Sequence, residues 1–191
     1  TIPNNVTTIG SAAFMFCSSL TSVTIGNSAT NIEDCAFQEC FNLASVKMGN
    51  NVTKIGDRAF HKCHKLTSIT IPNSVTSIEN CAFAYCNGLT SIISEIENPL
   101  AISNPFYADD KDIYATATLT VPAGTKAKYQ STDGWKNFKN IVEASGGSSE
   151  EVRKFESGGI TYNVNDNGTT VTVTAGNTKY KGSISIPSSV S

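Results

Sequence analysis

The chain has 191 residues, a net charge of −2 and only 16% charged residues, against about 25% in an ordinary soluble domain. That balance excludes long-range electrostatic attraction to nucleic acid or to an anionic membrane surface as a driving force. No apolar run approaches the roughly 18 residues that a bilayer-spanning helix needs. Ser, Thr and Asn take the place of the missing charges, at 62 positions between them.

The opening phrase Thr1-Ile2-Pro3-Asn4-Asn5-Val6 falls in the middle of a pattern that recurs along the chain, so we expect a piece of a longer protein. Phe14, Phe37, Phe60 and Phe83 stand 23 residues apart, and Phe106 continues the series. Cys17, Cys40, Cys63 and Cys86 keep the same interval, as do Leu20, Leu43, Leu66 and Leu89. Ile9, Ile32, Ile55 and Ile78 form another column, and Val23, Val46, Ile69 and Ile92 a further one. Self-similarity at a fixed period is the mark of a repeat architecture.

The clearest copy shows what each unit does. Ile69-Thr70-Ile71 alternates apolar and polar, a short strand. Pro72 lacks a backbone donor and stops the ladder, and Asn73-Ser74 turns the chain. Val75-Thr76-Ser77-Ile78 reads as a second short extended piece. Ala82-Phe83-Ala84-Tyr85-Cys86 reads as a single helical or 3₁₀ turn, too short to stand alone. One such coil has no means of enclosing its own apolar side chains. Stacked copies bury them in a continuous file, with like strands pairing in parallel at about 4.8 Å per coil.

Residues 1–96 hold four 23-residue repeats. Residues 97–143 form an irregular fifth repeat and a C-terminal cap. Thr120-Val121-Pro122 matches Thr70-Ile71-Pro72 at a distance of 50 residues, two periods plus four, which places a four-residue insertion in the fifth coil. The cap carries Gly124, Tyr129, Gly134-Trp135, Phe138 and Ile141-Val142, and is expected to close the open end of the core. Residues 144–154 are a linker by composition. In 155–191, Ile160, Tyr162 and Val164 alternate, Asp166-Asn167-Gly168 turns, and Val171 and Val173 alternate again, a β-hairpin signature. Ile184 to Val190 then copies Ile69 to Val75, the expected first strand of a following array, cut at Ser191.

These residues resemble the BspA-type leucine-rich repeat family. Ile55, Ala59-Phe60, Cys63, Leu66, Ile69 and Ile71-Pro72 follow its pattern, and the cap built on Val121-Pro122, Gly124, Tyr129, Gly134-Trp135 and Phe138 is similar to its usual ending. The resemblance runs from residue 1 to about 143. It departs at Gly26 and Gly49, which stand in the proline position, and at Asp109, which stands in the cysteine column. It implies an α/β leucine-rich-repeat solenoid, strand-dominated with short helical turns, followed by the hairpin-bearing tail module. It also implies a bacterial protein that is secreted or held at the cell surface, often adhesin-like, with members linked to host-matrix proteins or other cells. No catalytic residues and no cofactor come with it.

Residues with chemical potential have plainer readings beside them. Cysteines in a secreted chain invite disulfides, but side chains projecting in parallel from successive coils hold their Cβ atoms too far apart. Buried, inert thiols are expected at Cys17, Cys40, Cys63 and Cys86, with Cys35 and Cys81 in a second column interrupted by Arg58. His61 and His64 share a spacing that a metal accepts, yet Cys63 between them belongs to the core, and a solvated rim turn is expected. Lys47, Lys54, Arg58, Lys62 and Lys65 form a basic patch in the third coil, beside acidic Glu33, Asp34 and Glu39. Asp109, Asp110 and Asp112 lack the ligand spacing of a calcium loop. The triplets at Asn5, Asn51 and Asn167 match a glycosylation acceptor, at a rate expected by chance in so Asn- and Thr-rich a chain.

The surface that repetition builds is the strand wall. Its outward positions stack as Ser22, Ser45, Ser68 and Ser91; as Thr24, Lys47, Thr70 and Ile93; and as Thr21, Ala44, Thr67 and Thr90. The candidate ligand face is therefore Thr21, Ser22, Thr24, Ser45, Lys47, Thr67, Ser68, Thr70, Thr90 and Ser91. It is flat, hydroxyl-rich and without an aromatic platform. The expected partner is a protein or glycan macromolecule, with a spacer that binds nothing as the alternative. Head-to-tail self-association through 155–191 is a further expectation.

Overall fold

The computed structural model describes residues 1–109, 111–144, 153–157, 160–164 and 171–174. They fall into two compact units, Thr1–Ser145 and Gly146–Ser191.

The first unit is a solenoid. Four two-residue strands, β1 (Thr8–Ile9), β3 (Asn31–Ile32), β5 (Lys54–Ile55) and β7 (Ser77–Ile78), pair in parallel along one side. Opposite them run β2 (Ser22–Thr24), β4 (Ser45–Lys47), β6 (Ser68–Ile71) and β8 (Ser91–Ser94), joined by β9 (Thr118–Val121) and β10 (Asn140–Glu143). Each pairing joins equivalent residues: Ile32 lies opposite Ile55, Val23 opposite Val46, and Ile69 opposite Ile92. Between β8 and β9 the step becomes 27 residues, with Ser91 opposite Thr118, which locates the four-residue insertion read from the sequence.

Inside, the phenylalanines form one file. Phe14 to Phe37 and Phe37 to Phe60 are 5.1 Å between ring centres, Phe60 to Phe83 5.3 Å and Phe83 to Phe106 5.4 Å, all near parallel. Ala36, Cys40, Leu43, Ile55, Leu66 and Leu89 are wholly enclosed around it. Ring spacing and strand spacing agree because both are set by the same backbone ladder.

The segments expected as one-turn helices are not helical. Cys35, Arg58 and Cys81, and again Glu39, Lys62 and Tyr85, take left-handed φ values of 53° to 59°. Such φ values cost a non-glycine residue roughly 1–2 kcal/mol each. The offsetting gain is a second ladder. Phe37 donates its N–H to Ala59 O at 2.7 Å, Glu39 to His61 O at 2.8 Å, and Phe60 to Ala82 O at 2.7 Å. Intervening donors close local turns, as Ala59 does on Gly56 O at 3.2 Å. Alternation of this kind ties every coil to the next, whereas a helix points all its donors along its own axis. Regular helix occurs instead in the cap, as α1 (Ile113–Thr116) and α2 (Lys126–Ser131).

The cap closes the file of rings. Trp135 is fully buried, packs near Phe106 at 6.1 Å and Tyr129 at 5.3 Å, and donates its indole N–H to Leu100 O at 2.9 Å. Tyr129 donates to Ile96 O at 2.7 Å and is 2.6 Å from the Ser94 hydroxyl. Gly134 is required just before Trp135: its φ is +83°, and a Cβ there would collide with the Ile102 carbonyl. The strand β10 at the end of the cap extends the outer wall, a role the sequence reading did not give it.

In the second unit β11 (Arg153–Ser157), β12 (Ile160–Val164) and β13 (Val171–Thr174) form an antiparallel sheet in that order. Its first strand begins at Arg153, inside the segment whose composition reads as linker. The stretch from 184 to 190, expected as a further array's first strand, lies outside the described residues.

Candidate functional site

Parallel pairing sets the wall, because in a strand alternate side chains face outward. Val23, Val46, Ile69 and Ile92 point in and are buried. Ser22, Ser45 and Ser68 are exposed, and Ser91 half-buried. Thr24 and Lys47 are exposed and Thr70 half-buried; Thr21, Thr67 and Thr90 are exposed. The seven candidates inside the strands, Ser22, Thr24, Ser45, Lys47, Ser68, Thr70 and Ser91, thus face outward, while Thr21, Thr67 and Thr90 are exposed one residue before their strands. Among them Thr90 is partly committed to the scaffold, its hydroxyl lying 3.4 Å from Thr67 O. Two files continue beyond the fourth coil, as Thr118 and Asn140 and as Thr120 and Val142. Ile93 and Val142 leave 38% and 37% of their surface in solvent, so that end of the wall is apolar where the other carries Lys47.

The wall is not continuous. β2 and β4 form one sheet, β6, β8, β9 and β10 another, and no ladder joins β4 to β6. At the matching corners of other coils a backbone N–H bridges backward, from Gly26 to Ile2 O at 3.0 Å and from Glu95 to Ile71 O at 2.9 Å. Pro72 has no N–H to offer at this seam. Beside it opens a groove of about 230 Å³ lined by Val46, Lys47, Met48, Asn50, Thr70, Pro72 and Glu95. The columns of the sequence give no sign of it.

The basic patch of the third coil is largely neutralised. Lys54 pairs with Glu33 at 3.3 Å, Lys62 with Glu39 at 3.2 Å and Arg58 with Asp57 at 2.6 Å. Asn31 and Lys54 together hold the Glu33 carboxyl below the usual range. The stacking that aligns like residues also brings coil-two carboxylates over coil-three amines; Glu39 and Lys62 stand one period apart, a pairing that sequence inspection alone could have found, whereas Glu33 and Lys54 are out of phase.

The thiols have a function in the scaffold beyond filling space. Cys40, Cys63 and Cys86 are buried, and each S–H points at the phenylalanine carbonyl of the coil before, at 3.1 Å, 3.4 Å and 3.1 Å. Burial pushes the Cys40 thiol up to about 11, far from the thiolate that reacts. The equivalent Cys17 is exposed, and Cys35 and Cys81 are half-buried, so the expectation of buried thiols fails at these three; all six are unbridged. Cys17 belongs to the first coil of the solenoid, which has a described neighbouring coil on one side only.

The histidines are not simply solvated. His61 meets Tyr85 edge-on at 5.3 Å, with its Nδ1 buried, and desolvation followed by Lys62 and Arg58 lowers its pKa. His64 stacks flat on Phe41 at 5.5 Å, and its Nδ1 lies 3.0 Å from Tyr85 O. Asp109 accepts hydrogen bonds from both Tyr85, at 2.6 Å, and Tyr107. That carboxylate pushes the Tyr85 hydroxyl up to about 12, and the two donors lower Asp109 in turn. Asp112 caps α1, its Oδ1 accepting from Ala115 N at 3.1 Å. Among the described residues no cluster of three metal-ligating side chains occurs, and no helix is long and apolar enough to cross a membrane.

No curated protein matches the chain. Among solved structures, it is similar to a leucine rich cell surface protein from Faecalibacterium prausnitzii A2-165, at 22% identity and a TM-score of 0.35. That match covers 87% of this chain but 42% of the other, so the chain spans less than half of its length. The sequence pattern of the BspA type leucine rich repeat region matches residues 1–111 in six copies. With that match over more than half its length, and with equivalent residues stacked coil on coil, the chain belongs to the BspA type leucine rich repeat family.

Proposed function

We propose that this is a non-catalytic repeat protein displayed outside a bacterial cell, whose strand wall binds an extended polypeptide of another macromolecule. The observation that carries the reading is the wall with its seam. Exposed hydroxyls stand in register, the ladder between β4 and β6 is open, and the groove there presents Lys47 and Glu95. Unpaired strand edges offer backbone donors and acceptors to a partner chain. Exposed Ile93 and Val142 supply apolar contacts further along. The wall has no aromatic ring for sugar stacking, which favours polypeptide over glycan at this surface. Family membership agrees with this placement.

The test is binding of the full chain to a panel of extracellular-matrix proteins. Ser45→Glu and Ser68→Glu, on either side of the seam, are each expected to weaken capture roughly tenfold, since a carboxylate pressed against a partner loses hydration without compensation. Binding that survives both substitutions rejects the wall as the site. A chain that captures nothing fits a spacer instead.

Self-association head to tail has its own support. Phe14 and Leu20 in the first coil are half-buried and Cys17 is exposed, where Phe37, Leu43 and Cys40 in the second are enclosed. The sequence from Ile184 to Val190 repeats that of the strand coil and would cover this end in another molecule. Sedimentation is expected to show a mass that rises with concentration and falls on deleting 184–191. A constant monomer rejects it.

A further inference from the structure

The turn edge of the solenoid gathers aromatic rings that the repeat does not require. In the file of Ser18, Phe41, His64 and Asn87, only the middle two are rings. In the file of Met15, Gln38, His61, Ala84 and Tyr107, rings stand at the third and fifth places. The path of the coils joins them. Phe41 stacks on His64, His64 reaches the Tyr85 backbone, and Tyr85 meets Tyr107 edge-on at 5.8 Å. Phe41 and Tyr107 keep 38% and 40% of their surface in solvent, far more than the enclosed phenylalanines of the core.

We propose that this edge, from coil two to coil five, is a carbohydrate site that takes a neutral glycan. It is a surface separate from the strand wall, and the inference does not rest on the wall's function. The C–H face of a pyranose stacks on an aromatic ring much as other apolar groups do, while its hydroxyls need acceptors and donors close by. Asp109 supplies the acceptor. Its two oxygens each take one tyrosine hydroxyl, and a carboxylate accepts about four hydrogen bonds, so acceptor sites remain. The same two bonds fix both tyrosine rings before any ligand arrives, which lowers the ordering cost of binding. Beside Tyr107 lies a shallow cleft of about 120 Å³, with Asn104, Ala108 and Asp112 along its lining. Its size suits part of one sugar and leaves the rest of a chain to cross Tyr85, His64 and Phe41.

Charge selects the neutral class. Lys54, Arg58 and Lys62 are each held by a carboxylate. At the cleft Lys111 is engaged by the Asn87 and Leu89 carbonyls at 2.7 Å and 3.2 Å, with Asp112 on the same lining. With Lys65 beside His64 at one end and Asp109 and Asp112 at the other, the balance offers little to a polyanion.

The experiment is affinity electrophoresis of the full chain in gels containing soluble β-glucan, xylan or galactomannan, with heparin and polygalacturonate as charged comparisons. Retardation by at least one neutral polysaccharide is expected. Tyr107→Ala and Phe41→Ala should each weaken it about tenfold, as loss of a stacked ring predicts. Asp109→Asn should weaken it with little change in the thermal midpoint. Tyr107→Phe keeps the ring and should keep most of the binding, which separates stacking from any folding defect. Ser45→Glu, on the wall, should leave retardation unchanged. The proposal is overturned if no neutral polysaccharide retards the chain, if only the charged ones do, or if retardation persists in both alanine variants. Capture of a protein that the Tyr107→Ala variant loses, with no retardation in any sugar gel, assigns the edge to protein binding and overturns it equally.

Discussion

Phe60→Ala is expected to destabilise the first unit by about 3–5 kcal/mol, the range for deleting a buried aromatic ring. Phe60 sits at the middle of the file, wholly buried, with Phe37 stacked on one face at 5.1 Å and Phe83 on the other at 5.3 Å. Removing it opens a cavity that both neighbours line, and the backbone ladders on either side prevent collapse. Stability in a stack is a sum of coils and of contacts between adjacent coils, so a break at the centre weakens two interfaces together. At roughly 2–4 °C per kcal/mol for a domain of this size, the thermal midpoint should fall by about 10 °C. Phe14→Ala supplies the internal comparison, since Phe14 has one stacked neighbour, Phe37, and is only half-buried. Circular dichroism melts of both variants decide the matter. Equal losses, or a Phe60→Ala loss under about 1 kcal/mol, would contradict a single interior file.

Trp135→Ala is expected to act at the end of the stack with two separable effects. The first is a loss of about 3–5 kcal/mol, since the indole is fully buried against Phe106, Tyr129 and Phe138. The second is association. Without the indole, Phe106 and its neighbours become an exposed apolar end, the kind of patch that recruits another surface. Urea unfolding measures the first and sedimentation the second. A destabilised variant that stays monomeric would mean that Tyr129 and Phe138 alone close the core. Gly134 makes the cap intolerant of any side chain at that position as well, because a Cβ there meets the Ile102 carbonyl.

Sequence reading reached the architecture through columns of one phase. Phe14 to Phe106, Leu20 to Leu89 and the wall serines are equivalent positions in successive coils, and a ladder of parallel strands places equivalents over one another. The insertion in the fifth coil was legible for the same reason, as an offset in an otherwise constant interval. The turn segments were misread as helical because Ala82-Phe83-Ala84 has good helix formers and no glycine. Nothing local shows that the donors at Phe83 and Tyr85 go to Pro105 and Tyr107 in the next coil. The histidines were misjudged likewise: their neighbours Phe41 and Tyr85 belong to other coils.

What the chain determines by itself is therefore periodic: the coil length, the apolar file, the outward hydroxyls and the aromatic plug at Trp135. These follow from side-chain patterning, which acts at every copy and needs no knowledge of the path between copies. Tertiary structure alone decides what happens out of phase. The seam between β4 and β6, the pairing of Lys54 with Glu33, and the band from Phe41 to Tyr107 join residues whose separations differ from one period or whose contacts depend on the coil's turning. Their energies come from a particular three-dimensional closure of the backbone, in which left-handed residues at Cys35 and Arg58 are held by bonds between coils.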